Sequence, residues 1–320
     1  METPAPIAIT VLGGYLGAGK TTLLNRLLEQ SSGRRIGVIV NDFGTLGIDA
    51  SLVAAARGNA DNGGVPIVNL ANGCVCCTLG DDLRTTIETL RTVEPPLDHI
   101  VIEASGVADP ATAAAWGTVP GFAPGGVIVL AAADSVVRSS RDRYVGSEVL
   151  RQLAGADLLV MTKSDLVDDD EQSRVIEWME SVSTAPIVVA PNGSIGIDVV
   201  LGAMPRHGAR RSVDHDDPGS SVRYVRWATD VDTVAEAQLE VFLDHLPDGV
   251  LRAKGEVAVM SASGDVAGRL VQVVGRTVRV TSTATPTRGG LEAIGVDGVF
   301  DVASLQSLAD EYLHRPTGEM

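Results

Sequence analysis

Along the first two thirds of the chain, short runs of Val, Ile and Leu alternate with longer segments whose apolar positions recur three and four residues apart. A continuous apolar run of strand length suits a β-strand buried on both faces, and the longer spacing suits a helix laid against it. The pattern predicts strands over Ile7–Leu12, Ile36–Val40, Val65–Leu70, Ile100–Glu103, Val127–Ala132, Leu158–Thr162 and Ile187–Ala190. Among the helices it predicts between them are Thr21–Gln30, Asp81–Arg91, Asp142–Leu153 and Asp169–Ser181. Such alternation is that of βαβ units around a mostly parallel sheet, an α/β domain.

The rhythm stops at residues 205–221, PRHGARRSVDHDDPGSS, whose Pro, Gly, Ser and mixed charges have the composition of a solvated connector. Beyond it the pattern predicts a strand near Val222–Trp227, a helix over Thr233–Leu246, several short strands between Val250 and Ile294, and a helix over Val302–Leu313. Strands that follow one another without intervening helices predict a smaller α+β domain. The expected organisation is therefore an α/β domain over 1–204, a linker over 205–221 and an α+β domain over 222–320.

Composition sharpens the fold and narrows the partners. Hydrophobic residues make up 45% of the chain but aromatics only 3%, so the core is mostly Val, Ala, Leu and Ile, the mixture of buried parallel strands. The formal net charge of −16 repels phosphate backbones and anionic lipid, so neither nucleic acid nor a membrane is an expected partner. The longest apolar run, near Val127–Ala133, ends at Asp134, well short of the roughly 18–20 residues that span a bilayer. The opening METPAPIAITVLGG lacks the basic segment of a secretory leader, and a cytoplasmic location is expected. All three cysteines lie between positions 74 and 77, too close together for a long-range disulfide framework.

Residues 13–22, GGYLGAGKTT, satisfy G-x-x-x-x-G-K-[ST] through Gly14, Gly19, Lys20 and Thr21, with Gly17, Ala18 and Thr22 in the same loop. A strand precedes this loop and an amphipathic helix carrying Leu23, Leu24, Leu27 and Leu28 follows it, which is the context a phosphate-binding loop requires. Its amides and the helix N-terminus are expected to face phosphate oxygens, Lys20 to neutralise the β- and γ-phosphates, and the Thr21 hydroxyl to ligate magnesium. The spacing does not match G-x-G-x-x-G, which disfavours a nicotinamide dinucleotide.

Two further segments sit where predicted strands end. Strand Leu158–Thr162 runs into Thr162-Lys163-Ser164-Asp165, which resembles the N-K-x-D base-reading motif of P-loop GTPases with Thr in the place of Asn. There Asp165 would accept from guanine N1 and N2 while the Lys163 stem packs on the ring. In HIVIEASGVADP, residues 99–110, the strand delivers Glu103 to the sheet edge, where it would orient water or hold a magnesium-bound water, and Gly106 permits close backbone approach to a γ-phosphate. Ser105 has no nearby His or Lys base in the sequence and is not expected to be a nucleophile.

Residues 72–79, NGCVCCTL, place three thiols within four positions just ahead of an acidic helix start at Asp81 and Asp82. Converging thiolates select a soft or borderline cation, zinc first, and a helix N-terminus favours the deprotonated sulfur. A redox switch and buried unligated cysteines are the alternatives.

In their order along the chain, the phosphate loop, the C-x-C-C cluster, Glu103-Ala104-Ser105-Gly106 and Lys163-Ser164-Asp165 closely resemble the CobW-like P-loop GTPases of metal homeostasis, the zinc-regulated metallochaperone branch. Asn41-Asp42-Phe43-Gly44 followed by Gly47-Ile48-Asp49 looks like that family's N-E-F-G segment, and Leu251-Arg252-Ala253-Lys254-Gly255 resembles the hallmark of its C-terminal domain. The resemblance covers residues 7 to about 315.

It implies GTP hydrolysis to GDP with magnesium, coupled to loading or delivery of zinc or another divalent transition metal to a metalloprotein client. Cys74, Cys76 and Cys77 would be the metal-linked thiolates, joined by Asp42. This chain departs from the family's pattern at Asp42, where Glu is usual, at Thr45, where an acidic residue is frequent, and at Thr162. Many relatives carry a histidine-rich stretch between domains, whereas this connector holds His207 and His215 and is expected to be a solvated linker. His99, His245 and His314 are expected to be surface or packing residues. Two other readings stand beside this one: a nucleotide-gated metal or redox sensor with negligible turnover, and a GTPase assisting cobalt insertion in cobalamin synthesis.

Overall fold

A computed structural model describes residues 6–30, 34–40, 67–69, 80–106, 108–202, 223–286 and 288–314. The chain divides into two compact units, one over Pro6–Val200 and one from Leu201 onward.

The first unit is a parallel sheet of seven strands: β1 (Ile7–Gly13), β2 (Ile36–Val40), β3 (Ile67–Asn69), β4 (His99–Glu103), β5 (Phe122–Ala132), β6 (Leu158–Thr162) and β7 (Ile187–Ala190), in the order β3-β2-β4-β1-β5-β6-β7. Every residue of β1, β2, β4, β5 and β6 is buried, so the sheet is covered on both faces, as their unbroken apolar runs require. The helices include α1 (Lys20–Glu29), α2 (Gly80–Arg91), α3 (Pro110–Ala114), α4 (Val136–Ser140), α5 (Gly146–Ala154) and α6 (Asp169–Val182). One apolar cluster packs Leu83, Ile87 and Leu90 of α2 against Ile9, Val11, Ile39, Ile100 and Ile102. Another packs Val149 and Leu153 of α5 and Val175 and Met179 of α6 against Val127, Val129, Leu159 and Met161. His99 is a packing residue, buried with its Nε2 2.8 Å from Thr10 Oγ1.

Two expected elements differ. The helix expected over Asp142–Leu153 is α5 alone, which begins four residues late, at Gly146, and ends at Ala154. Asp142 Oδ1 accepts from the amides of Tyr144 and Val145, a local turn that competes with helical hydrogen bonding and holds back α5 until Gly146. Strand β5 starts five residues before the expected Val127 despite Pro124-Gly125-Gly126. Ile9 pairs with Pro124 and Thr10 with Gly126, so Gly125 is the extra residue of a bulge against β1.

The second unit is a sheet of six strands: β8 (Tyr224–Val231), β9 (Val234–Ala235), β10 (Val250–Met260), β11 (Val266–Val274), β12 (Thr277–Thr283) and β13 (Gly289–Val296). The order is β12-β11-β10-β13-β8, antiparallel throughout, with β9 added in parallel to β10. Its helices α7 (Glu236–Asp244) and α8 (Val302–Tyr312) bring Leu239, Phe242, Leu305 and Ala309 onto Trp227, Val257, Val271, Val273 and Leu291. The strands are longer than expected, 11 residues in β10 and 9 in β11, and the segment 251–255 lies within β10. The expected helix start at Thr233 is displaced because Val234 and Ala235 pair with Val259 and Met260. Among the described residues, no helix is long and apolar enough to cross a membrane.

Candidate functional site

Parallel strands carry their ligand loops at their carboxyl ends, and the chemistry-bearing residues of the first unit gather there. Strand β1 leads through Gly13 into a turn closed by the Ala18 amide donating to the Tyr15 carbonyl, 3.0 Å. Gly14, Gly17 and Gly19 take φ of +128°, +77° and +93°. At Gly14 glycine is required twice over: the backbone is left-handed, and a Cβ would stand 2.6 Å from the Leu130 carbonyl oxygen. No side chain caps α1 at Gly19, so the amides of its first turn are presented to an anion, with the helix dipole adding to their pull. Lys20, only 9% exposed, donates from Nζ to the Gly14 carbonyl at 2.7 Å, which lays the ammonium back over the loop.

Thr21 Oγ1 donates to Glu103 Oε1 at 3.0 Å, and Glu103 is 3% exposed. The register explains the meeting, since Leu12 of β1 pairs with Glu103 of β4 and the two loops leave the sheet side by side. A hydroxyl and a carboxylate in contact form a hard oxygen donor pair, which fits magnesium. After Glu103 the chain folds over the phosphate loop. A Cβ on Gly106 would stand 2.8 Å from the Leu16 amide nitrogen, so only glycine permits that approach. Ser105 is buried, and its Oγ has no hydrogen-bond partner among the described residues.

On the other side of β1, Thr162 at the end of β6 donates from Oγ1 to the Ala18 carbonyl at 2.8 Å. The residue that departs from N-K-x-D therefore ties the loop after β6 to the glycine loop after β1 with a hydroxyl. Thr162→Val keeps the shape and removes that donor, leaving the Ala18 carbonyl one bond short in a buried place. It is expected to cost about 1–3 kcal/mol, read as a lower urea midpoint at unchanged m-value. Lys163 has φ +55° and lies 3.7 Å from Asp134 Oδ2. Asp165 Oδ1 accepts from the Asn192 amide at 3.0 Å.

Asn192 belongs to a turn over Pro191–Gly193 that follows β7, a neighbour of the loop after β6 that the motif reading did not include. The signal for it was Pro191-Asn192-Gly193-Ser194, four turn formers directly after a predicted strand. Gln152 was missed as well. It is a lone amide on the apolar face of α5 between Val149 and Leu153, 2% exposed, and it touches both the phosphate loop and the loop after Glu103.

Asp42, Cys74, Cys76 and Cys77 lie outside the described residues, as do the linker 205–221 and its His207 and His215. Among the described residues no group of three or more His, Cys, Asp or Glu side chains is arranged to hold a metal ion. Among the described residues, Asn69 of β3 pairs with Val40 of β2, which pairs with Glu103.

Comparison with known proteins gives consistent matches. The model of the CobW/HypB/UreG nucleotide-binding domain matches residues 8–189. A protein named zinc chaperone CobW from Sinorhizobium sp is 31% identical, over 84% of this chain and 85% of its own. One named zinc chaperone YjiA from Escherichia coli strain K12 is 30% identical over 61% of each chain. A crystal structure of Zn(II)-bound YjiA GTPase from E. coli aligns over 97% of this chain and 99% of its own, with 20% identity and a TM-score of 0.46.

Proposed function

The chain belongs to the CobW/HypB/UreG family, and from that premise we propose that it is a GTP-hydrolysing metal chaperone that couples its nucleotide cycle to delivery of zinc, or a similar divalent transition metal, to a metalloprotein client. The observation that carries this reading is the Thr21–Glu103 contact at the mouth of the phosphate loop, made to a buried carboxylate, on the strand row after which the Asp42 and cysteine segments follow in the chain. The names of the relatives, zinc chaperones 31% identical over 84% of the chain and 30% identical over 61% of it, support the cargo.

In this reading Lys20 leaves the Gly14 carbonyl for the β- and γ-phosphates, while Gly14, Gly17, Ala18, Gly19, Thr21 and Thr22 surround the phosphates with loop backbone and the first turn of α1. Thr21 and Glu103 would hold magnesium, which neutralises charge on the phosphates when bound with the nucleotide. Glu103 orients the attacking water, and its burial preserves the strength of that interaction by excluding bulk solvent. Asp165 and Lys163 read guanine, with Asp165 positioned by the Asn192 amide and Thr162 holding its loop to Ala18. Cys74, Cys76 and Cys77 hold the cargo as thiolates, with Asp42 as a further donor.

Coupling follows from charge. Thiolates near a triphosphate repel it, and a divalent cation bound to them relieves that repulsion. Linkage then requires that GTP and metal alter each other's affinity by one factor. Titrating GTP with zinc present and absent is expected to give a difference of about tenfold in the wild type, about 1.4 kcal/mol, and none in Cys74→Ser/Cys76→Ser/Cys77→Ser. Equal GTP affinities in all four titrations would end the metal-coupled reading, and ATP competing as well as GTP would end the guanine assignment.

A further inference from the structure

Gln152 makes an arrangement that only a carboxamide satisfies. Its Oε1 accepts from the Gly14 amide at 3.0 Å, and its Nε2 faces the carbonyls of Gly106 at 3.2 Å and Ala108 at 2.9 Å. Nε2 also lies 3.3 Å from Glu148 Oε1, one turn back on the same helix. The partners fix the orientation of the group: a backbone N–H demands the oxygen, and carbonyls demand the NH2. Each end meets a loop that is already tightly constrained. Gly14 is held by Gln152 at its amide and by Lys20 at its carbonyl, while Gly106 lies on the Leu16 backbone. A single rigid amide, 2% exposed and outside both loops, thus sets the distance between the phosphate loop and the segment that follows Glu103.

We propose that Gln152 is a positioning residue for hydrolysis: it holds the Glu103–Ala108 segment against the phosphate loop, so that Glu103 stays in register with Thr21 and the γ-phosphate. This rests on the hydrolytic reading above. Gln152 touches no reacting atom. Its effect is on where Glu103 stands, and a displacement of about 1 Å in such a group costs on the order of a hundredfold in rate.

The two ends of the amide separate in two variants. Gln152→Glu keeps an acceptor for the Gly14 amide but turns a carboxylate oxygen onto the Gly106 and Ala108 carbonyls. Gln152→Met has the same length and neither bond. The experiment measures kcat and KM for GTP, the dissociation constant for GDP and the melting temperature of the full chain. For Gln152→Glu the expected result is a GDP affinity within about threefold of wild type and a kcat lower by at least tenfold. For Gln152→Met both fall, kcat by more than GDP affinity. That second variant decides the matter if the carboxylate prevents folding. A purely structural amide would lower the melting temperature and leave kcat of the folded protein unchanged. That outcome, or losses of kcat and GDP affinity by the same factor, overturns the proposal. A wild type that binds GTP without hydrolysing it overturns the hydrolytic reading, and this inference with it. An active wild type beside an unimpaired variant overturns only the role of Gln152.

Discussion

Lys20→Ala is expected to weaken GTP binding by about a thousandfold, or about 4 kcal/mol, measured by calorimetry or by displacement of a fluorescent guanine nucleotide. The magnitude follows from the setting of the ammonium. Lys20 is buried, its Nζ already lies on the phosphate loop, and the unit around it is part of a chain with net charge −16. A triphosphate entering that field meets fixed amide dipoles and one buried full positive charge from the loop itself. Removing the charge leaves the anion desolvated and poorly compensated, and truncating one partner of such a pair costs several kcal/mol. Zinc binding by the proposed cysteine set should be retained in the variant when no nucleotide is present, because that set does not include Lys20. Tight GTP binding by Lys20→Ala, with the protein folded, would remove the phosphate-loop assignment.

Glu103→Gln is expected to lower GTP turnover by about a hundredfold, within the usual range for loss of a group that orients or deprotonates water. The substitution keeps the side chain's shape and an oxygen for the Thr21 hydroxyl, so the loop remains assembled. What disappears is the carboxyl group at 3% exposure to which the proposed function gives its part in turnover. The melting temperature of the nucleotide-free variant should not fall. That divergence of stability from turnover is the mark of a functional charge, whereas a mutated structural residue loses both. A Glu103→Gln protein with normal turnover would relocate the water-orienting role elsewhere on the sheet edge.

These effects refer to residues that differ in how they were found. Gly14, Lys20 and Thr21 were legible because their spacing along one loop is itself the recognition chemistry, and a local motif needs no fold to be read. Glu103, Lys163 and Asp165 were legible one step further out, since Glu103 ends one run of strand-length apolar residues and Lys163 and Asp165 follow another, and parallel strands bring their ends to one edge. Thr162 was visible only as a departure. Its hydroxyl bond to Ala18 spans a sequence separation of 144 and exists because β6 reaches the phosphate loop in this sheet order.

Periodicity and local chemistry in the sequence determined the alternating α/β unit, its parallel strands, the phosphate loop, and the change of architecture after the connector. They did so because burial on both faces and helical spacing leave marks within a few neighbouring residues. Only tertiary structure decided that Gln152 would join Gly14 to Ala108 and that Asn192 would support Asp165. Both are contacts between segments apart in the chain, selected by strand order. No window of sequence contains the partners that make a lone glutamine on an apolar helix face into the bridge between two loops.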